Sequence, residues 1–356
     1  MLKLGTIAFG GPAVHVAMLR DEAVRRRSWL DDQEFLDLFG AVSILPGPSS
    51  TQLAIALGRR RAGWRGLLIA GTCFIAPAMA IVVALAWAYT RYGTTPTGGG
   101  VLYGVEPVVV AIVAVALWEL GRKAFARPQL ALIAAMAVAA YVAGLNVLVP
   151  LLAGGVIASA VANRRSLPAL VPVVPLLRVG RIHPGTLDVL GEFLKLGVVV
   201  FGSGYVLLAF LRADLVSQLH WLTERQVLDA VAAGQITPGP VFTTATFVGY
   251  QLGGLPLALA ATAGIFAPSF LLVAALEPFV TRIRRSRWLG PALDGVTVAA
   301  LGLMAAVTVD LGRSAVRDVP TAALAIGALV LLVRRRTNAM LLMAGGAAVG
   351  ILHALF

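Results

Sequence analysis

The sequence contains little charge and almost no cysteine. Charged residues make up 13% of the 356 positions and hydrophobic residues 59%, whereas soluble domains are typically about 45–50% apolar. The mean hydropathy of +0.87 excludes a soluble domain and predicts a multi-pass membrane protein. The single cysteine, Cys73, excludes an intramolecular disulfide and a cysteine-based metal cluster.

Other signals of cofactor chemistry or processing are also missing. The four histidines show no metal-ligand spacing, so we expect no metal site and no cofactor. No Walker motif is present for ATP-driven transport. The start of the chain, Met1 to Phe9, has one lysine and no small-residue cleavage site, so we expect no removable signal peptide. The histidines are His15, His183, His220 and His353.

The net charge of +12 does not indicate nucleic-acid binding. Lysines and arginines cluster at the ends of apolar segments, which is the distribution of cytoplasmic loops under the positive-inside rule. The runs Arg59-Arg60-Arg61 and Arg334-Arg335-Arg336 therefore indicate topology and contacts with anionic lipid of the bilayer, with an anion-attracting vestibule as the alternative. We expect no nucleic-acid partner.

The apolar segments fall into two sets of six. A linker at 163–186, rich in proline and arginine, separates a first repeat at 1–162 from a second at 187–356. The segments are 2–19, 35–58, 66–90, 101–120, 129–145 and 146–162, followed by 187–211, 226–250, 255–281, 289–312, 318–333 and 338–355.

The two sets are copies of one another. Lys3-Leu4-Gly5 and Lys195-Leu196-Gly197 lie 192 positions apart, and so do Pro46-Gly47-Pro48 and Pro238-Gly239-Pro240. We call the latter two the first and second Pro-Gly-Pro turns. Proline ends a membrane helix because it lacks a backbone donor, so each turn predicts a broken helix inside an apolar run.

Basic residues decide how the broken segments are placed. If every segment crosses the membrane, the loops divide 14 against 13. If 35–58 and 226–250 are instead re-entrant, six loops on one side carry 22 basic residues and the other side carries 5, which the positive-inside rule favours. Each repeat then has five crossings, and the second repeat is inverted. The sequence thus predicts an all-α membrane protein of two inverted repeats, an arrangement found in secondary transporters.

The turns are candidate anion sites. The residues that follow them begin half-helices, whose N-terminal N–H groups and about half a positive charge favour anions. Hydroxyl and amide side chains could complete the coordination, although kinks with capping hydroxyls are the simpler alternative. The candidate side chains are Ser49, Ser50, Thr51, Gln52, Thr243 and Thr244.

Three further groups of residues are candidates for the site or for proton coupling. Lys3 and Lys195 are candidate ligands or interface anchors, since lysine near a segment end can reach the interface. The small pairs Gly10-Gly11 and Gly202-Ser203 would allow close backbone approach to the ion or to a neighbouring helix. Glu106 and Asp294 are candidates for proton coupling, or alternatively for helix capping at the interface.

Several strings together resemble the chromate ion transporter family in its two-domain form. The resemblance covers nearly the whole chain. The strings are Phe9-Gly10-Gly11-Pro12, Leu45-Pro46-Gly47-Pro48 with Gln52-Leu53-Ala54, Gly104-Val105-Glu106-Pro107-Val108-Val109, Trp118-Glu119-Leu120-Gly121-Arg122-Lys123 and Gln235-Ile236-Thr237-Pro238-Gly239-Pro240.

The resemblance implies export of chromate across the bacterial inner membrane, with sulfate as an analogue. We therefore expect a non-enzymatic, multi-pass secondary transporter that works by alternating access, driven by a proton gradient, with a homodimer possible. The alternatives are a transporter or channel for sulfate or another oxyanion, and a membrane enzyme acting on a phosphorylated lipid. The lipid enzyme would need a nucleophile or metal cluster at an interface, and none is visible.

Overall fold

The fold was analysed in a computed structural model that describes residues 1–9, 12–124, 128–163, 184–201, 204, 206–276, 286–335 and 337–355. These ranges form helices joined by short connections. The helices are α1 (Leu2–Ile7), α2 (Pro12–Arg20), α3 (Asp32–Val42), α4 (Ser49–Tyr92), α5 (Pro96–Ala124), α6 (Pro128–Val142), α7 (Leu148–Ala162), α8 (Thr186–Val199), α9 (Leu207–Phe210), α10 (Glu224–Ile236), α11 (Thr244–Leu276), α12 (Leu289–Ala315), α13 (Val319–Val330) and α14 (Ala339–Leu355).

Wider or tighter turns extend four of these helices. Asp21–Arg26 continues α2, Leu211–Gln218 continues α9 and Leu331–Arg335 continues α13 as π-helical turns, while a 3-10 turn at Val241–Thr243 precedes α11. Helices α1 to α7 correspond in order to α8 to α14. The repeat predicted from the sequence is therefore a structural repeat.

The re-entrant helices α3 and α10 begin in the same way. Asp31 and Glu34 form a capping box at the start of α3, and Thr223 and Gln226 form one at the start of α10. In both boxes the side chains satisfy backbone N–H groups that the first helical turn leaves unpaired. Asp31 and Thr223 are 192 positions apart, and so are Glu34 and Gln226. The local sequence therefore fixes these two helix starts.

Helices α4 and α11 each consist of two helices folded into a hairpin. The backbone leaves helical geometry at Ala62–Gly63 and at Gly253–Gly254. Gly63 has φ +59° and Gly254 has φ +72°, a region that favours glycine. We refer to residues 49–61 and 64–92 as α4a and α4b, and to residues 244–252 and 255–276 as α11a and α11b. A Cβ on Gly58 would lie 2.3 Å from the carbonyl oxygen of Gly66, so the backbones of α4a and α4b are in direct contact there.

The segment that contains the first Pro-Gly-Pro turn is re-entrant, as predicted. The start of α3 and the end of α4a line the same cavity, which includes Trp29, Glu34, Arg60 and Arg61. Both ends of this hairpin therefore lie at one end of the molecule. We call that end the basic face, because the arginines of 25–27 and 59–61 lie there.

The first segment of each repeat, predicted as a single crossing, is also a hairpin. Helix α8 ends at Val199, and the chain then turns back, so that Lys195 of α8 reaches Asp214 in the continuation of α9 at 2.9 Å. In the first repeat α1 ends at Ile7 before α2 begins. The prediction of about five crossings per repeat is therefore not confirmed, because α1 and α8 end inside these segments.

The repeats are inverted, and the directions of the helices show this without any count of crossings. Gly47 lies beside Ser269, and Arg59 donates to the carbonyls of Val273 and Ala274, so α4a runs parallel to α11b. Helix α11a runs antiparallel to α11b. The equivalent half-helices α4a and α11a consequently point in opposite directions.

The last helices of each repeat pack on the other repeat. Helix α14 packs on α5, and α7 packs on α12. At the first contact, a Cβ on Gly104 would lie 1.9 Å from the carbonyl oxygen of Gly346; at the second, a Cβ on Gly295 would lie 2.2 Å from that of Gly154. Small residues allow membrane helices to approach this closely.

The surface suits a bilayer. Large apolar side chains are exposed around the molecule, including Trp64, Trp118, Leu132, Leu271, Val319 and Leu341. Four helices of the described residues are long and apolar enough to cross a membrane, and three shorter apolar helices accompany them. Exposed apolar area on this scale indicates contact with lipid.

Candidate functional site

The two Pro-Gly-Pro turns lie against breaks in the opposite repeat. The N–H of Gly47 donates to the carbonyl of Val200 at 2.7 Å, and the N–H of Gly239 donates to the carbonyl of Ala8 at 2.9 Å. Both pairs are related by the same shift of 192 positions. Gly47 and Gly239 have φ of +111° and +97°, which explains why glycine occupies the centre of each turn.

A chain of hydrogen bonds connects the two turns through His15. The Nε2 atom of His15 lies 3.0 Å from the carbonyl oxygen of Ala8, which also accepts from Gly239. The Nδ1 atom of His15 lies 3.3 Å from the Oγ of Ser50, which follows the first turn. The second turn is thus joined to the start of α4a. His15 has no sequence signal for this role, because only the tertiary structure brings it between the turns.

Polar atoms without described partners surround the first turn. The Oγ1 of Thr51, the Oε1 of Gln52 and the Oγ of Ser269 are buried and make no hydrogen bond within the described residues. A Cβ on Gly47 would meet the Oγ of Ser269 at 2.8 Å and the Nε2 of Gln52 at 2.9 Å. The N-cap of α4a, Pro48, offers no side-chain cap. Buried groups of this kind normally find a partner, so this pocket suits a polar ligand or water.

The second turn is more fully satisfied. Thr243 donates its hydroxyl to the carbonyl of Pro240, and Thr244 donates to that of Val241, both at 2.8 Å. Both threonines are fully buried. Their hydroxyls act as caps in this conformation, whereas the Nε2 of Gln235 nearby has no described partner.

The two equivalent lysines lie in different surroundings. Lys195 is bonded to the carboxylates of Glu192 at 2.5 Å and Asp214 at 2.9 Å. Lys3 is exposed near the start of the chain. The small residues Gly10, Gly11, Gly202 and Ser203 lie outside the described residues.

Glu106 closes the end of the molecule opposite the basic face. Its carboxylate, 1% exposed, receives Arg225 at 3.0 Å and Arg317 at 2.5 Å. Asp229 accepts the hydroxyl of Tyr89 at 2.8 Å beside this pair. These contacts join α5, α10, α4b and the start of α13. A buried carboxylate held by two guanidinium groups is an ion-pair cluster.

Asp294 instead lines a cavity that borders the residues just before the first turn. The cavity has a volume of about 300 Å³ and a polar lining. Ser43 and Ile44 lie beside the first turn, while Phe201 belongs to the break that the first turn contacts. The lining residues are Ser43, Ile44, Phe201, Gly290, Pro291, Leu293, Asp294 and Thr297.

A related cavity lies on the other side of the turns. It has a volume of about 210 Å³, a mostly apolar lining, and includes Tyr89, Leu102, Asp229 and Ile236. Leu102 and Ile236 correspond by repeat to Leu293 and Ile44 of the first cavity. The turns therefore lie between two equivalent cavities that reach toward opposite faces. No group of His, Cys, Asp and Glu within the described residues could hold a metal ion.

This arrangement of inverted repeats, crossed helix breaks and two opposed cavities defines a multi-pass membrane protein with the architecture of a secondary transporter. A family model described as chromate transporter matches residues 1–159 and 187–351. The chain belongs to the chromate transporter family.

Curated relatives agree with this assignment. The probable chromate transport protein of Synechococcus elongatus is 33% identical, over 92% of this chain and 87% of its own length. The chromate transport protein of Cupriavidus metallidurans is 32% identical, over 98% and 90%. That of Pseudomonas aeruginosa is 30% identical, over 90% and 81%. No solved structure matches the chain.

Proposed function

We propose that this protein exports chromate across the bacterial inner membrane by alternating access, with the dianion bound at the first Pro-Gly-Pro turn. The main support for this site is the group of buried, unpartnered polar atoms on Thr51, Gln52 and Ser269 around Gly47. They lie at a helix N-terminus, where N–H groups and the helix dipole favour anions. Hydroxyls bind the ion without a fixed charge that would hold it too tightly.

The two opposed cavities support alternating access. We assign the cavity that contains Asp294 to the basic face, which the positive-inside rule makes cytoplasmic. The far side is closed by the ion pairs of Glu106 with Arg225 and Arg317. We assign Glu106 to this closure, while Asp294, which faces the cytoplasmic cavity, remains a candidate for proton coupling. Lys3 remains a candidate for attracting anions.

Transport itself is tested in proteoliposomes. Uptake of chromate, sulfate, molybdate and phosphate should be measured with and without a pH gradient. We expect saturable chromate flux that sulfate inhibits and that the gradient accelerates. Accumulation above equilibrium would exclude a channel, and sulfate flux without chromate flux would favour the sulfate alternative.

The location of the site is tested by isosteric variants. Thr51→Val and Ser269→Ala should each weaken chromate affinity about tenfold, since a hydrogen bond to a charged group contributes about 1.5–3 kcal/mol. Thr308→Val is the matched control, because the hydroxyl of Thr308 bonds to Met304 within α12. Unchanged affinity in both site variants would move the anion away from the first turn.

A further inference from the structure

We infer that His15 is the proton-binding group that couples anion binding at the first Pro-Gly-Pro turn to proton uptake. The inference rests on the proposed function, since it concerns the same anion site. It is carried by geometry: the imidazole is 1% exposed and lies between Ala8 and Ser50.

The partners of His15 fix its neutral tautomer. A carbonyl oxygen can only accept, so Nε2 must carry a proton that it donates to Ala8. In the neutral ring Nδ1 then has a lone pair and accepts the hydroxyl proton of Ser50. The hydroxyl of Ser50 is therefore directed toward the histidine and away from the turn.

Protonation of Nδ1 reverses this last bond. An imidazolium donates at both nitrogens, so Ser50 can no longer donate to it and its own proton becomes free for an anion at the start of α4a. The ring adds one positive charge at the same time. A dianion at the turn and a proton on His15 therefore favour each other, and reciprocity requires that each raises the affinity for the other.

Other titratable groups do not supply this charge. Helix α2 packs against α1, α4 and its own π-helical continuation. Lys3 on α1 is exposed, and Cys73, which adjoins the ring partner Phe74 on α4, is half-buried. Asp21 and Glu22 in the continuation pair with Arg26 and Arg27 at the basic face. The contacts described for His15 are with Ala8, Ser50 and Phe74.

The second repeat has no equivalent switch. The counterpart of His15, 192 positions later, is Leu207, which is buried in the apolar core. At the second turn this position therefore offers no side chain that can take up a proton. This agrees with the position of the unpartnered polar atoms, which surround the first turn more than the second.

The test counts protons taken up when an anion binds to the purified full-length protein. Sulfate is the probe, because it stays a dianion between about pH 6 and pH 8.5, whereas chromate itself takes up a proton in this range. Calorimetric titrations in two buffers of different ionisation enthalpy give the proton number. At pH values above the His15 pKa of the free protein and below that of the sulfate-bound protein, the wild type should take up close to one proton, and its Kd should rise about tenfold per pH unit.

His15→Gln is the main variant, because a glutamine amide can still donate to Ala8. It should bind sulfate with no proton uptake and with a Kd that no longer depends on pH. His353→Gln, which changes an exposed histidine on α14, should behave as the wild type. Ser50→Ala should bind more weakly at every pH.

Two results would overturn the inference: sulfate binding by the wild type without proton uptake, or undiminished proton uptake by His15→Gln. If His15→Gln does not fold, the wild-type measurement alone tests the inference. A wild type that binds neither sulfate nor chromate would instead contradict the proposed function.

Discussion

The hairpin of α3 and α4a and the hairpin of α10 and α11a share their sequence pattern, their capping boxes and their central turn, yet they lie in different environments. Residues 227–234 of α10 are buried, whereas Asp32, Leu36 and Asp37 of α3 are exposed. The second hairpin is covered at its far end by the Glu106 cluster, and the first borders the cavity that contains Asp294. This difference supports the alternating access proposed above, in which two inverted elements occupy unequal environments in each half of the cycle.

Residue chemistry explains why the ion-pair cluster of Glu106 forms at the end opposite the basic face and not at the basic face. Arg225 on α10 corresponds to Gln33 on α3, and Glu106 on α5 corresponds to Thr297 on α12. The attractive pair present at one face is therefore replaced by neutral side chains at the other. The two hairpins differ at these equivalent positions, so mutation of the residues there should alter the difference.

The largest expected effect is a loss of stability that differs between the two turns, because their central glycines are packed differently. Gly239→Ala should lower the free energy of unfolding by about 3 kcal/mol, because positive φ strains alanine and the new Cβ would lie 2.8 Å from the Cβ of Ala78. Gly47→Ala should cost less, about 1–2 kcal/mol, because its Cβ would meet the movable ends of Ser269 and Gln52.

Thermal unfolding in detergent measures both variants. Gly345→Ala in α14 is the control, since a Cβ there meets nothing within 4 Å and alanine favours a helix. Equal losses at the two turns would contradict the packing difference.

A second prediction concerns the closed face. Glu106→Gln leaves Arg225 and Arg317 without their carboxylate and should shift the equilibrium toward opening by about 1–3 kcal/mol, because the arginines are partly exposed. Ala232 lines the cavity that includes Tyr89 and Asp229, and it is 3% exposed. In a Cys73→Ser background, the thiol of Ala232→Cys should then react about tenfold faster with a membrane-impermeant thiol reagent.

Glu119→Gln is the matched control, because it removes an exposed carboxylate from the same helix. An unchanged labelling rate in the Glu106 variant would show that the ion pairs do not hold this face closed.

The smallest expected effect comes from adding an ion pair to the basic face, where the first hairpin lacks one. Thr297→Glu combined with Gln33→Arg installs the missing pair at the basic face and should favour closure of the cavity there. A partly exposed ion pair contributes about 0.2–1 kcal/mol, so labelling of a cysteine at Ser43 should fall up to about fivefold. Each single variant serves as a control, and equal labelling of the double and single variants would count against pairing at this face.

Much of the architecture follows from short stretches of sequence. Composition identified a membrane protein, the spacing of Lys3 and Lys195 identified the repeat, and the prolines at 46–48 marked a helix break. These signals are local, since the cost of placing a side chain in lipid or of breaking a helix depends on a few neighbouring residues. The single crossings predicted at 2–19 and 187–211 are not confirmed, because α1 ends at Ile7 and α8 ends at Val199, inside those segments.

The candidate site was predicted less completely. Ser49, Thr51 and Gln52 were named from the turn itself, and their role as ligands stays a prediction. Ser269 was missed, because it lies 222 positions from Gly47 in the chain and its counterpart in the repeat is Ala78. The repeat pattern therefore gave no reason to select it.

By itself the sequence determined that the chain lies in a membrane, that it is duplicated, and that both copies break at a Pro-Gly-Pro turn. Only the tertiary structure decided that each turn contacts a break in the other repeat, that His15 joins the turns, and that Glu106 lies between two arginines. The reason is physical: hydropathy and helix breaking act within a few residues, whereas these contacts join elements that are far apart in the chain and meet only when the two repeats interlock.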